Sequence, residues 1–126
     1  MNVEFDEHST NFKDGSYVIH SSQARSSIPH GDRLIRILQR GSVDVVFGAP
    51  SRPNEQTPHD RDEFYFAVQG RGIFFHDGKR EPFEAGDLLF VAAFTEHHFE
   101  DFSEDLLVWR VFFGPKGGEV PTDSRE

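Results

Sequence analysis

Cysteine is missing altogether from this chain of 126 residues. Its absence removes disulfides, thiolate metal sites and a cysteine nucleophile from consideration, and fits a reducing, cytoplasmic setting. Basic residues are outnumbered: 13 Lys and Arg stand against 22 Asp and Glu, for a formal net charge of -9, and the Lys and Arg residues form no run. Such a surface repels phosphate backbones and anionic membranes, so neither nucleic acid nor a membrane is an expected partner. No apolar run approaches membrane-spanning length. The opening MNVEFDEHSTNF is polar and acidic, without the basic stretch and apolar core of a signal peptide. No segment keeps a helical period.

What the chain has is phenylalanine: 14 Phe against one Trp and two Tyr. Phe brings large buried area with no polar atom to satisfy, which suits a compact β-core. The length is that of one domain. Residues 22–27 have the makings of one short helical turn, closed by Ile28-Pro29. From Arg33 onward, apolar runs of strand length are broken by Gly, Pro and Asp. These runs cover 34–38, 43–49, 63–68, 72–76, 88–92, 99–102 and 106–113. Asp77-Gly78 is a tight-hairpin dipeptide, and turns are also expected at 39–42 and 84–87. Short strands at regular spacing read as an all-β sandwich or barrel. The expected organisation is an N-terminal arm and lead-in strand at 1–32, a barrel at 33–114, and a mobile surface tail at 115–126.

Two stretches carry chemistry. In Thr57–Gly70, TPHDRDEFYFAVQG, residues two apart share a strand face. His59, Arg61, Glu63 and Tyr65 then fall on one side, with Gln56 turned to the other. A carboxylate among Phe, Tyr, Ala and Val is costly to bury unless paired or bound to a cation; the alternative is a Glu63 that faces solvent. In the second stretch, GDLLFVAAFTEHHFEDF, alternation puts His97 with Phe99 and His98 with Glu100. His97 is therefore the interior candidate, as a ligand or as a hydrogen-bonded core histidine.

In order and spacing the two stretches resemble the paired motifs of the cupin family. The first family motif ends His-x-His, three or four residues, Glu, six residues, Gly; here His59, Glu63 and Gly70 take the last three positions. The second runs Gly, five residues, Pro-x-Gly, two residues, His; here Gly86 and His97 bracket Ala92-Ala93-Phe94. Thr57 stands where the family has its first His, and Ala92-Ala93-Phe94 replaces Pro-x-Gly. The resemblance implies a double-stranded β-helix, or jelly-roll barrel, holding one divalent metal (Fe, Mn, Ni or Zn) on His59, Glu63 and His97. Two imidazoles and one carboxylate leave open coordination positions.

Thr57, Arg61 and Tyr65 are candidates for contact with a small-molecule ligand. Arg61 suits a substrate carboxylate through its forked donors, or a surface ion pair; Tyr65 suits a ligand or an ordinary core position. The leading expectation is a metalloenzyme acting on a small carboxylate or hydroxy-keto metabolite as dioxygenase, isomerase or lyase. The alternative is a non-catalytic binding barrel, with or without metal. Phe64 and Phe66 alternate with the inward residues and need cover on the outside, so a homodimer is expected. The resemblance likewise implies dimers built by packing barrel walls.

Overall fold

A computed structural model describes residues 15–122. The distal part of the expected arm (1–14) and the last four residues of the expected tail (123–126) lie outside the described residues. One helix, α1 (Ser21–Ser27), precedes eight strands: β1 (Leu34–Arg40), β2 (Val43–Gly48), β3 (Asp62–Gln69), β4 (Arg71–His76), β5 (Lys79–Glu84), β6 (Leu88–Val91), β7 (His97–Glu100) and β8 (Leu107–Phe113). All pairings are antiparallel. They build a five-stranded sheet in the order β1-β2-β8-β3-β6 and a three-stranded sheet in the order β5-β4-β7, the two walls of a jelly roll.

The strands expected from Leu34 onward are present, with shifts at their ends, and one strand was not anticipated; of the expected arm and lead-in strand at 1–32, the described residues 15–32 hold α1 and no strand. β5 reads KREPFE, with only Phe83 buried. It is a polar edge strand, and Pro82 is tolerated there because an edge position spares a missing N–H donor. The run expected at 99–102 pairs two residues earlier, as β7 at His97–Glu100. Phe102 leaves the ladder and packs against the core.

Between the sheets lies an apolar cluster built around Tyr65, Phe74, Phe83, Phe99, Leu106 and Val108. The phenylalanines interlock edge-on, with Phe83 and Phe99 centroids 5.5 Å apart. A second cluster sits on the outer face of the larger sheet, where Ala24 of α1 meets Ile35, Ile37 and Phe47. A seven-residue helix is too short to persist alone in water, so this docking through a fully buried Ala24 holds it. Val68 is skipped in the β3–β8 register and joins this outer cluster. The bulge thereby ends the inward series of Glu63, Tyr65 and Ala67.

The segment after β8 is surface-exposed yet tied down where it begins. Gly114 N–H donates to Ser42 Oγ at 3.1 Å, Gly117 N–H to the Asp60 carbonyl at 2.6 Å, and Glu119 N–H to Asp62 Oδ2 at 2.9 Å.

Candidate metal centre

Three elements bring the candidate ligands together. Residues 49–61 form a loop with prolines at 50, 53 and 58, and it delivers His59 half-buried at the mouth of the barrel. Phe94 N–H donates to the His59 carbonyl at 2.6 Å, and the imidazole stands edge-on to Phe112 at 5.0 Å. Glu63, second residue of β3, is completely buried. His97 opens β7, also buried, after the turn closed by Thr95 N–H on the Ala92 carbonyl. Phe94 in that turn has φ +67°, a left-handed conformation that glycine adopts without strain. The turn thus keeps a shape suited to the family's Pro-x-Gly with a bulkier residue in it.

The ligand atoms of His59, Glu63 and His97 all lie within 4.8 Å of one another, in the one such histidine–carboxylate group among the described residues. Glu63 Oε1 is 3.2 Å from His97 Nε2 and 4.0 Å from His59 Nε2. Neither contact has hydrogen-bond alignment, and all four atoms (both Glu63 oxygens and the two Nε2) are buried without a hydrogen-bond partner. His97 Nδ1 is 2.9 Å from the Thr95 carbonyl. That bond assigns the ring hydrogen to Nδ1 and leaves a lone pair on Nε2 in the neutral ring. A lone pair facing a carboxylate is repulsive unless a cation, a proton or a metal, lies between them. The donor set fits a divalent ion.

The electrostatics separate the two histidines. Burial lowers the His59 pKa, and the Glu63 charge offsets this only in part. At His97 burial also acts downward, but Glu63 and the Thr95 carbonyl together outweigh it and raise the pKa. Burial, reinforced by the Glu63 charge, pushes the Tyr65 hydroxyl well above its ordinary value, so it stays protonated.

Beside the ligands a cavity of about 200 Å³ opens between the loop and the sheet, with His59, Gln56, Tyr65 and Arg110 in its wall. Tyr65 is buried, and its hydroxyl donates to Gln56 Oε1 at 3.2 Å. Gln56 Nε2 donates in turn to Asn54 Oδ1 at 2.8 Å, which also accepts from Phe99 N–H. Thr57 is exposed and forms no part of the cavity wall. This reverses the expected facing of the two residues, because the proline-bearing loop has no strand alternation. Arg61 does not share the interior either: its Nη1 donates to the Ser42 carbonyl at 2.7 Å on the outside of the loop.

The arginine that does enter the barrel is Arg110, which sequence reading passed over. Its Nε lies 3.8 Å from Glu63 Oε2. Alternation along β8 carried the signal, since Arg110 shares a face with the buried Val108.

A cupin domain family model matches residues 42–113. An acireductone dioxygenase of Parvibaculum lavamentivorans is 34% identical over 99 residues, covering 65% of this chain and 54% of that protein. An uncharacterised protein of Streptomyces coelicolor is 36% identical over 63 residues, covering 50% of this chain and 60% of the relative. The chain thus spans little more than half the length of these curated relatives. Among solved structures, a cupin-2 domain protein of Shewanella frigidimarina aligns with a TM-score of 0.61 at 13% identity, covering 77% of this chain and 95% of the other. At that identity the likeness speaks to the fold.

Proposed function

This chain belongs to the cupin domain family, and from that premise we propose that it is a metal-dependent enzyme of small oxygen-rich metabolites, a dioxygenase in the first instance. One observation carries the reading: the donor atoms of His59, Glu63 and His97 converge, buried and without hydrogen bonds, beside a cavity. Similarity to acireductone dioxygenases favours dioxygenase over isomerase or lyase chemistry.

In this reading His59, Glu63 and His97 hold one divalent ion (iron, manganese, nickel or zinc) through three protein ligands. When bound, the ion supplies Lewis acidity and open coordination positions. The remaining work falls to the chain. The Thr95 carbonyl keeps the His97 ring oriented with Nε2 inward. The phenyl rings of Phe74, beside His97, and Phe112, beside His59, limit water around the ligands, and Tyr65, protonated and tethered to Gln56, fixes the polar wall. The cavity is small against the several hundred Å³ of drug-sized pockets, which favours a small substrate.

The test is metal content by elemental analysis of the wild type and of His59→Ala, Glu63→Ala and His97→Ala, followed by oxygen uptake with small keto and hydroxy acids. Near-stoichiometric metal, lost in each variant, supports the site. A wild type that stays metal-free after reconstitution overturns it and leaves a binding barrel. One feature favours that second reading: with Thr57 outside the cavity, no fourth protein ligand among the described residues replaces the family's first histidine.

As to assembly, a homodimer through the outer face of β3 and β6 belongs to the same proposal. Phe66, Leu88 and Phe90 on that face are 42%, 54% and 49% exposed, a contiguous apolar surface of the kind that marks an interface. Among the described residues no helix is long and apolar enough to cross a membrane.

A further inference from the structure

We propose that Arg110 is the substrate-anchoring residue of the cavity and that the substrate class is a short carboxylate. This deepens the metal-site reading and rests on it. Arg110 pairs with Tyr65 across the β3–β8 ladder and with Val46 across β2–β8. Its side chain therefore rises from the middle of the larger sheet into the barrel rather than from a flexible rim.

The donors of Arg110 are uncommitted. Its Nε is buried without a hydrogen-bond partner, and no hydrogen bond to the guanidinium exists among the described residues. Arg33, which also lines the cavity, donates to the Ala49 carbonyl, and Arg61 donates to the Ser42 carbonyl. Of the other polar groups of the wall, the Tyr65 hydroxyl donates to Gln56 and the Gln56 amide to Asn54, His59 Nε2 belongs to the metal site, and Glu55 is an exposed carboxylate. Arg33 keeps further donors but is exposed, which leaves Arg110 as the partly buried cation of the wall, with no donor in a hydrogen bond.

Charge requires a partner for it. Glu63 is the nearest carboxylate, but at 3.8 Å from Nε it makes no hydrogen bond to it, and in the metal-bound site it is committed to the ion. A dication, one carboxylate and one guanidinium then sum to two positive charges in a half-enclosed space, where an unneutralised charge is costly. A ligand carboxylate meets both needs, since it fits the planar guanidinium fork through paired charge-assisted hydrogen bonds.

The experiment compares pyruvate with its neutral amide, pyruvamide, by titration calorimetry on the zinc-reconstituted and the metal-free protein, using wild type, Arg110→Gln and Arg110→Lys. Pyruvate should bind the wild type at least about 10-fold more tightly than pyruvamide. Arg110→Gln should weaken pyruvate by about 30-fold, leave pyruvamide unchanged and keep the metal. Arg110→Lys, which retains charge without the fork, should fall between. Equal binding of acid and amide by the wild type overturns the proposal, and needs no variant to fold. So does an Arg110→Gln protein that binds pyruvate as tightly as the wild type, or one that loses metal, which would make Arg110 a support for Glu63. A wild type that takes up no zinc, yet binds pyruvate in an Arg110-dependent way, overturns the metal reading and sustains the anchor.

Discussion

Asp62 and Glu63 are adjacent carboxylates in β3, both buried, yet only Asp62 has its hydrogen bonds. Asp62 Oδ1 accepts from Ala93 N–H and Oδ2 from Glu119 N–H, each at 2.9 Å. Glu63, on the opposite face by strand alternation, accepts none. One carboxylate ties the Ala93 turn and the C-terminal segment to the sheet; the other is held ready for a cation.

The two should therefore fail in different ways. Asp62→Ala removes two charge-assisted bonds and should cost about 3 kcal/mol in denaturant unfolding, with the metal retained. Glu63→Gln should abolish metal binding and, above the raised His97 pKa, leave the metal-free protein at least as stable, since there it removes a buried charge facing a histidine lone pair. Loss of metal in a folded Asp62→Ala protein would show that the strap, too, supports the site.

Proton competition should appear in metal uptake. The folded His97 pKa is raised above its ordinary 6.5, so near neutrality part of the population must lose a proton before ligating. Metal affinity should fall as pH drops through that raised value. His59 is lowered and contributes little to the competition. In the metal-free protein the signs are opposed. The His97 contribution to stability is fully present below 6.5 and lost as pH rises through the raised value, whereas His59 costs stability as pH falls below 6.5. Zinc titrations in two buffers of different ionisation enthalpy should show proton release that declines from pH 7 to pH 9. Release that does not change with pH would reject the His97 assignment.

The aromatic face invites a charge. Phe64 stacks on Phe113 with ring centroids 4.9 Å apart and planes 10° from parallel, and it also touches Phe66 and Phe90. It is half-buried within its own chain, while Phe66 and Phe90 carry the exposure. Phe90→Glu should convert the proposed dimer to a folded monomer in light scattering; Phe64→Glu, which also breaks the stack, should yield monomer or insoluble protein. A dimer unchanged by both substitutions would remove this face as the interface.

The motif glycines should differ in cost. A Cβ at Gly70 (φ +87°) would sit 2.6 Å from Ser103 Oγ and 2.7 Å from Leu106 Cα, whereas one at Gly86 (φ +96°) meets nothing within 4 Å. Gly86→Ala carries only the left-handed penalty, about 1–2 kcal/mol. Gly70→Ala adds overlap with main chain, for about 3 kcal/mol or more in total. Equal shifts in denaturant midpoint would mean that the Ser103–Leu106 turn gives way freely.

Sequence by itself determined the parts that depend on local repetition. Strand alternation sets Glu63 and Tyr65 on one face and Phe64 and Phe66 on the other, and it separates His97 from His98. The breakers between apolar runs marked most of the strands, and the resemblance of the two motifs to those of cupins implied the grouping of His59, Glu63 and His97. What only the tertiary structure decided is non-local or non-repetitive. Residues 49–61 have no strand geometry, so alternation could not tell that Gln56 turns inward and Thr57 outward, or that Arg61 ends on the Ser42 carbonyl. β5 lacked an apolar pattern because an edge strand buries a single side chain, Phe83. Arg110 became part of the cavity through the pairing of β8 with β3, which sets it beside Tyr65 across 45 residues of chain. Side-chain pattern fixes a strand's faces, but only its neighbours decide what each face encloses.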